Sequence, residues 1–192
     1  MTSMDASSPR RLGRRRAFVN RKTGFAVLET RDIVKGMKVM SNFIDEEDCV
    51  MVLPILEDGS LIMERQYRAA LLEATGRKSR RGYVYELPGG HIHSGESPQE
   101  AAARELEEEV GYIPSEVKVL YKRAIAPYAT DAMEWVCTAQ GLERSSKLLD
   151  SDEVISTVKL GRQRILKMLD EGIIDDSLTR EALLSYFRLC SK

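Results

Sequence analysis

Long apolar runs are missing from this chain of 192 residues; the longest, Val50 to Leu56, spans seven and contains Pro54. A helix that crosses a bilayer needs about 20 apolar residues, so a membrane-spanning helix is excluded. Cysteine is scarce, and Cys49, Cys137 and Cys190 form no CxxC or CxxxH spacing. That excludes a disulfide framework and a clustered zinc site, and leaves a reducing, cytoplasmic setting as the expectation. Histidine is limited to His91 and His93, and tryptophan to Trp135. With 43% apolar residues the chain can bury the core of one domain or a compact pair.

The formal charge of −1 hides an asymmetry. Residues 1–22 hold Arg10, Arg11, Arg14, Arg15, Arg16, Arg21 and Lys22 against Asp5 alone, a net +6, and the remainder carries −7. Residues 1–16 read as a basic, disordered tail, since the first nine are polar and without periodicity. The other readings of this end are an arm for an anionic partner such as RNA, working through residues 1–22, and an organellar leader lacking an amphipathic pattern.

From residue 17 onward, short β-like runs alternate with turn signals: Phe25 to Leu28, Met37 to Met40, Val50 to Leu56 and Leu61 to Met63. An N-terminal antiparallel β region over 17–48 is expected, then a domain over 49–192. Residues 69–82 read as a long basic loop, and Tyr83 to Glu86 as a strand running into Pro88-Gly89-Gly90. The clearest helix is predicted over Pro98 to Val110. Ser97 is its N-cap, Pro98 its first residue, Glu100 completes a capping box and Gly111 supplies the stop. Strands over 117–126, 134–140 and 154–160 follow, then amphipathic helices over 163–169 and 178–189.

On the strong helix, Glu105, Glu108 and Glu109 stand at i, i+3 and i+4, on one face. Alone, such a run reads as a solvated acidic face. It gains a purpose if the clustered oxygens take a hard divalent cation such as Mg²⁺ or Mn²⁺. Reading from Gly90, the chain has five residues, Glu96, seven residues, then Arg104-Glu105-Leu106, Glu108-Glu109 and Gly111-Tyr112. This resembles the signature box of the Nudix hydrolases, G-x5-E-x7-R-E-U-x-E-E-x-G-U, where U is bulky and aliphatic; only Tyr112 departs from it. Chance agreement at these positions is on the order of 10⁻⁷ at average residue frequencies.

Outside the box, Arg65-Gln66-Tyr67-Arg68, Tyr85 to Gly90, Pro127 and the acidic stretch Asp150 to Ile155 resemble the ADP-ribose pyrophosphatase branch. Tyr128 follows Pro127 where that branch has glycine, which is closer to hydrolases of ADP-linked compounds. The resemblance implies an α/β/α sandwich with a mixed sheet, preceded by the small N-terminal β region. It implies a homodimer through that region and hydrolysis of the pyrophosphate bond in ADP-ribose or a related nucleoside diphosphate compound. By the same resemblance Glu105, Glu109, Glu108 and the carbonyl of Gly89 hold Mg²⁺, with Mn²⁺ as the alternative. Glu153 activates water, and Arg68, Arg65, Glu86 and Pro127 meet the substrate. Gly90, Glu96, Arg104 and Gly111 are the structural members of the box, with Arg104 orienting the glutamates. A Nudix-fold module that only binds RNA or a nucleotide is the competing reading.

Overall fold

A computed structural model describes residues 10–19, 26–34, 37–68, 82–146 and 155–190. The chain divides into two compact units, one formed by the residues up to Glu47 with Ala124–Met133, the other by Asp48–Arg123 with Glu134 onward.

The first unit is an antiparallel sheet of β1 (Arg10–Val19), β2 (Ala26–Val34) and β3 (Met37–Asp45), in the order β1-β2-β3. Arg10 to Arg16 are therefore strand and not tail, whereas residues 1–9 lie outside the described part. The physical reason lies 14 to 31 residues downstream, in acids that face these arginines. Arg11 pairs with Asp32 at 2.7 Å, Arg15 with Glu29 at 2.8 Å and Arg14 with Asp45 at 3.0 Å. Arg14 also reaches Asp131 at 3.2 Å and Arg16 reaches Asp45 at 3.4 Å. Exposed pairs of this kind contribute at most about 1 kcal/mol each, so the ladder and the buried Ala26, Leu28 and Thr30 of the central strand carry the sheet.

The second unit holds two sheets. One has the order β10-β5-β6, from β5 (Leu61–Tyr67), β6 (Tyr83–Glu86) and β10 (Ile155–Leu160), all antiparallel. The other has the order β7-β4-β9-β8, from β4 (Cys49–Pro54), β7 (Gly89–His91), β8 (Tyr112–Ala124) and β9 (Met133–Arg144). It is mixed, since β4 runs parallel to β9 and antiparallel to β7.

The uninterrupted apolar run at β4 is explained by burial on both faces. Val50 and Val52 join Ile62, Cys137 and Ala139 under the box helix, against Ala101, Ala102, Leu106 and Val110. Met51, Leu53 and Ile55 join Leu61, Met63 and Val136 under α2 (Arg162–Asp170) and α3 (Ser177–Leu189), where Ile165, Leu169 and Leu183 are buried. Helices on both faces of a mixed sheet make the α/β/α sandwich. No helix among the described residues is long and apolar enough to cross a membrane.

Candidate active site

The box helix begins as α1 (Pro98–Glu105). Its first turn is closed by a reciprocal cap: the Ser97 hydroxyl accepts the Glu100 N–H at 3.3 Å, and the Glu100 carboxylate accepts the Ser97 N–H at 2.8 Å. The helix continues from Leu106 to Val110 as a π turn, a local widening that recurs at functional sites. Gly111 ends it with φ +74°, a left-handed conformation that glycine adopts without steric cost. Ser145 holds this end, its N–H donating to Gly111 O at 2.9 Å and its hydroxyl to Glu107 at 2.7 Å. Leu106 and Val110 are buried against the sheet, leaving Glu105, Glu108 and Glu109 on the side that faces the loop after β6.

Arg104 organises the acids. Its Nε and Nη2 donate to the two oxygens of Glu96 at 3.0 and 3.1 Å, and Nη2 also donates to the His91 carbonyl at 2.9 Å. Its Nη1 donates to Glu105 at 2.8 Å and to Glu108 at 3.0 Å. Those contacts use all the N–H groups of the guanidinium. The hydrogen bond to Arg104 holds the Glu96 carboxyl below its usual range, and the same bond raises the already high value of Arg104. Glu96 also accepts the His93 N–H at 3.0 Å, tying the loop from His91 to the helix.

The Gly89-Gly90 pair lies against the other side of the acids. Gly89 N–H donates to Glu109 Oε2 at 3.0 Å. A Cβ on Gly90 would stand 2.3 Å from Glu105 Oε1, and one on Gly89 would stand 2.2 Å from the Val50 carbonyl. Only glycine allows the backbone to approach the carboxylates and β4 this closely. Burial pushes the Glu105 carboxyl up and Arg104 opposes it.

Among the described residues no three acidic, histidine or cysteine side chains converge closely enough to hold an ion. Glu105 and Glu108 meet at Arg104, while Glu109 is turned to Gly89. The donors gathered here, three carboxylates beside the half-buried backbone of Gly89 and Gly90, are nevertheless all oxygen, the chemistry that suits hard divalent cations.

Arg68, exposed just past β5, pairs with Glu86 of β6 at 2.9 Å. Glu86 is in register with the buried Glu64, which shares its face with Ile62 and Gln66 on the α1 side. Glu64 escapes a motif reading, but alternation from Ile62 marks its face. Alternation also puts Arg65 on the opposite face, stacked 4.0 Å over the Tyr83 ring, so it does not join Arg68 and Glu86. Pro127 sits in an exposed turn of the first unit. Glu153 and residues 69–81, nearly all of the segment expected as a basic loop, lie outside the described residues.

The NUDIX domain model matches residues 47–159. This chain belongs to the Nudix family. The Nudix chain is 31% identical over 136 residues to the ADP compounds hydrolase NudE of Escherichia coli (strain K12), covering 71% of this chain and 68% of that one. It is 27% identical over 158 residues to the ADP-ribose pyrophosphatase of Bacillus subtilis (strain 168), covering 81% and 80%. It is 28% identical over 150 residues to the methanol dehydrogenase activator of Bacillus methanolicus, covering 77% and 76%. The crystal structure of an ADP compounds hydrolase shares the fold with a TM-score of 0.78, covering 96% of this chain and 95% of that one at 24% identity. Nudix hydrolases work with divalent cations, in keeping with the oxygen donors at this site.

Proposed function

We propose that the chain is a Mg²⁺-dependent hydrolase of the pyrophosphate bond in ADP-ribose or a closely related ADP-linked compound, releasing AMP and a phosphorylated moiety. The observation that carries this reading is the complete box, Gly90 to Gly111, with its arginine and carboxylates gathered at the start of β7. The ADP-specific names of two relatives support the substrate class.

Glu105, Glu109 and Glu108 with the Gly89 carbonyl are the groups that would hold Mg²⁺, or Mn²⁺ in its place. The cation supplies charge neutralisation on the two phosphates and lowers the barrier to attack by water. Arg104 aims Glu105 and Glu108 through its hydrogen bonds, with Glu96 as its anchor. Glu153 takes the proton of the attacking water. Glu86 orients Arg68, whose fork matches phosphate oxygens. Arg65 and Pro127 are assigned to the substrate by resemblance alone. Trp135 is half-buried, packed against the core under α1 with Lys122 over its ring at 4.5 Å.

The N-terminal sheet is assigned a homodimer contact; Leu12, Met37 and Met40 are 46%, 64% and 66% exposed on β1 and β3. Three free thiols suit a reducing cytoplasm.

Glu109→Gln tests the site. The amide oxygen can still accept the Gly89 N–H, so the fold is expected to hold while kcat falls about 10²-fold or more, the scale of losing a charge-stabilising group. Wild-type turnover in that variant would remove Glu109 from the ligand set. A second reading, that another ADP-linked compound is preferred to ADP-ribose, is favoured by Tyr128 and by the NudE identity. Competition between ADP-ribose and such compounds for one active site separates the two.

A further inference from the structure

The chain crosses from one sheet to the other over two residues. Glu86 is the last residue of β6, paired with Glu64 of β5; Gly89 is the first of β7, paired with Met51 of β4. Leu87 and Pro88 make the step, both buried. A buried amide at a crossover lacks a strand neighbour to accept its hydrogen, and leaving it unmade is costly. Pro88 has no N–H, and its carbonyl accepts the Val52 N–H at 2.8 Å. That leaves the Leu87 N–H, which donates to the hydroxyl of Thr179 at 3.2 Å, 92 residues away.

Thr179 is fully buried in the first turn of α3, and its own N–H is capped by Asp176 at 2.6 Å. The turn is fixed again beside it. Arg123 Nη2 donates to Leu178 O at 3.0 Å, and Glu181 accepts the Tyr121 hydroxyl at 2.8 Å together with an Arg123 N–H. Arg123 is in turn bonded to the buried Glu134 of β9. Thr179 is thus a rigidly held acceptor, and the amide it receives lies two residues before Gly89.

We propose that Thr179 is a positioning residue for the active site: through the Leu87 amide, helix α3 sets the placement of the Gly89-Gly90 backbone against Glu109 and Glu105. That backbone is engaged on both sides, since the Gly89 N–H donates to Glu109 at 3.0 Å while Gly89 and Gly90 pair with Met51 and Val50 of β4. A shift of a few tenths of an ångström at Leu87 is transmitted to the Gly89 amide and to the carbonyl beside the carboxylates. The inference rests on reading Glu105 and Glu109 as cation ligands.

The test is Mn²⁺ binding to the intact protein, followed by electron paramagnetic resonance without substrate, beside steady-state kinetics on ADP-ribose. Thr179→Val keeps the shape and removes the acceptor. It is expected to weaken Mn²⁺ binding about tenfold, the usual loss for a group supporting a metal ligand. KM for ADP-ribose at saturating cation should stay within about twofold, because the uniform binding of the substrate is untouched. Thr179→Ser restores the acceptor and should restore Mn²⁺ affinity. Phe187→Leu, farther along α3 in the same core, should lower Tm without changing Mn²⁺ affinity. If Thr179→Val does not fold, Thr179→Ala, with room for a water at the Leu87 amide, should show an intermediate loss.

Wild-type affinity in Thr179→Val, or in Thr179→Ala if that is the one that folds, overturns the inference alone. So does Thr179→Ser binding as weakly as Thr179→Val, or Phe187→Leu weakening Mn²⁺ as much as Thr179→Val. Wild-type protein that binds no Mn²⁺ overturns the ligand set, and the inference with it.

Discussion

Arg104 concentrates more of the site's chemistry than any other single residue. It meets Glu96, Glu105 and Glu108 while its side chain is 22% exposed, so its removal leaves carboxylates repelling one another in a partly desolvated place. Arg104→Ala is expected to cost about 2–3 kcal/mol, toward the lower end for a broken buried pair because the group is partly hydrated. Urea denaturation measures it. Arg104→Lys should recover little, since an ammonium cannot span three acceptors in a fixed plane. Gly90 is the residue where space rather than charge decides. Gly90→Ala puts a methyl into Glu105, and kcat should fall about 10²-fold, as a displacement near 1 Å at reacting groups does. Circular dichroism showing an unchanged fold would locate that loss at the site.

The box helix illustrates what an element reveals through its sequence. Ser97, Pro98, Glu100 and Gly111 are local signals, and each acts in the cap or stop where it is legible. Gly111→Ala is expected to lower stability by about 1–2 kcal/mol, the cost of a side chain in the left-handed region; chemical denaturation reads it. The π turn at Leu106–Val110 has no such signal; Ser145, which bonds its far end at Gly111 O and Glu107, stands 38 residues from Glu107. Strand β7 is equally silent: Gly89-Gly90-His91 has no β-forming residue, and pairing with β4 makes it a strand. Strand β1 is disguised by its arginines, which look like a tail until Asp32, Glu29 and Asp45 are placed opposite. The role of Thr179 is invisible for the same reason, since its partner is 92 residues away. By contrast the face of Arg65 follows from strand period alone.

At the scale of the whole molecule, charge and thiols respond to solution conditions in ways the fold dictates. The hydrogen bond from Arg15 holds the Glu29 carboxyl below its ordinary range. A lowered folded value adds stability above the unfolded pKa and loses it as pH falls. The N-terminal sheet should therefore loosen as pH drops below the usual carboxylate range of about 4 to 5. Glu29→Gln should flatten that dependence in acid titrations followed by hydrogen exchange. Cys137 is buried, and burial pushes its thiol up to about 12, whereas Cys190 is exposed. Alkylation of native protein should label Cys190 first and Cys137 only after unfolding, which peptide mass spectrometry can follow.

Whether the chain hydrolyses a pyrophosphate bond is decided by analysis of the reaction products. Pure protein with Mg²⁺ is incubated in parallel with ADP-ribose, ADP-glucose, UDP-glucose, GDP-mannose, NADH and diadenosine polyphosphates, with Glu109→Gln as the blank. The expected result is AMP with ribose 5-phosphate from ADP-ribose, or AMP with the matching phosphorylated product from another ADP-linked compound, in each case absent from the blank. The absence of Mg²⁺-dependent hydrolysis across the panel would overturn the hydrolase assignment and leave a Nudix fold that binds without cleaving.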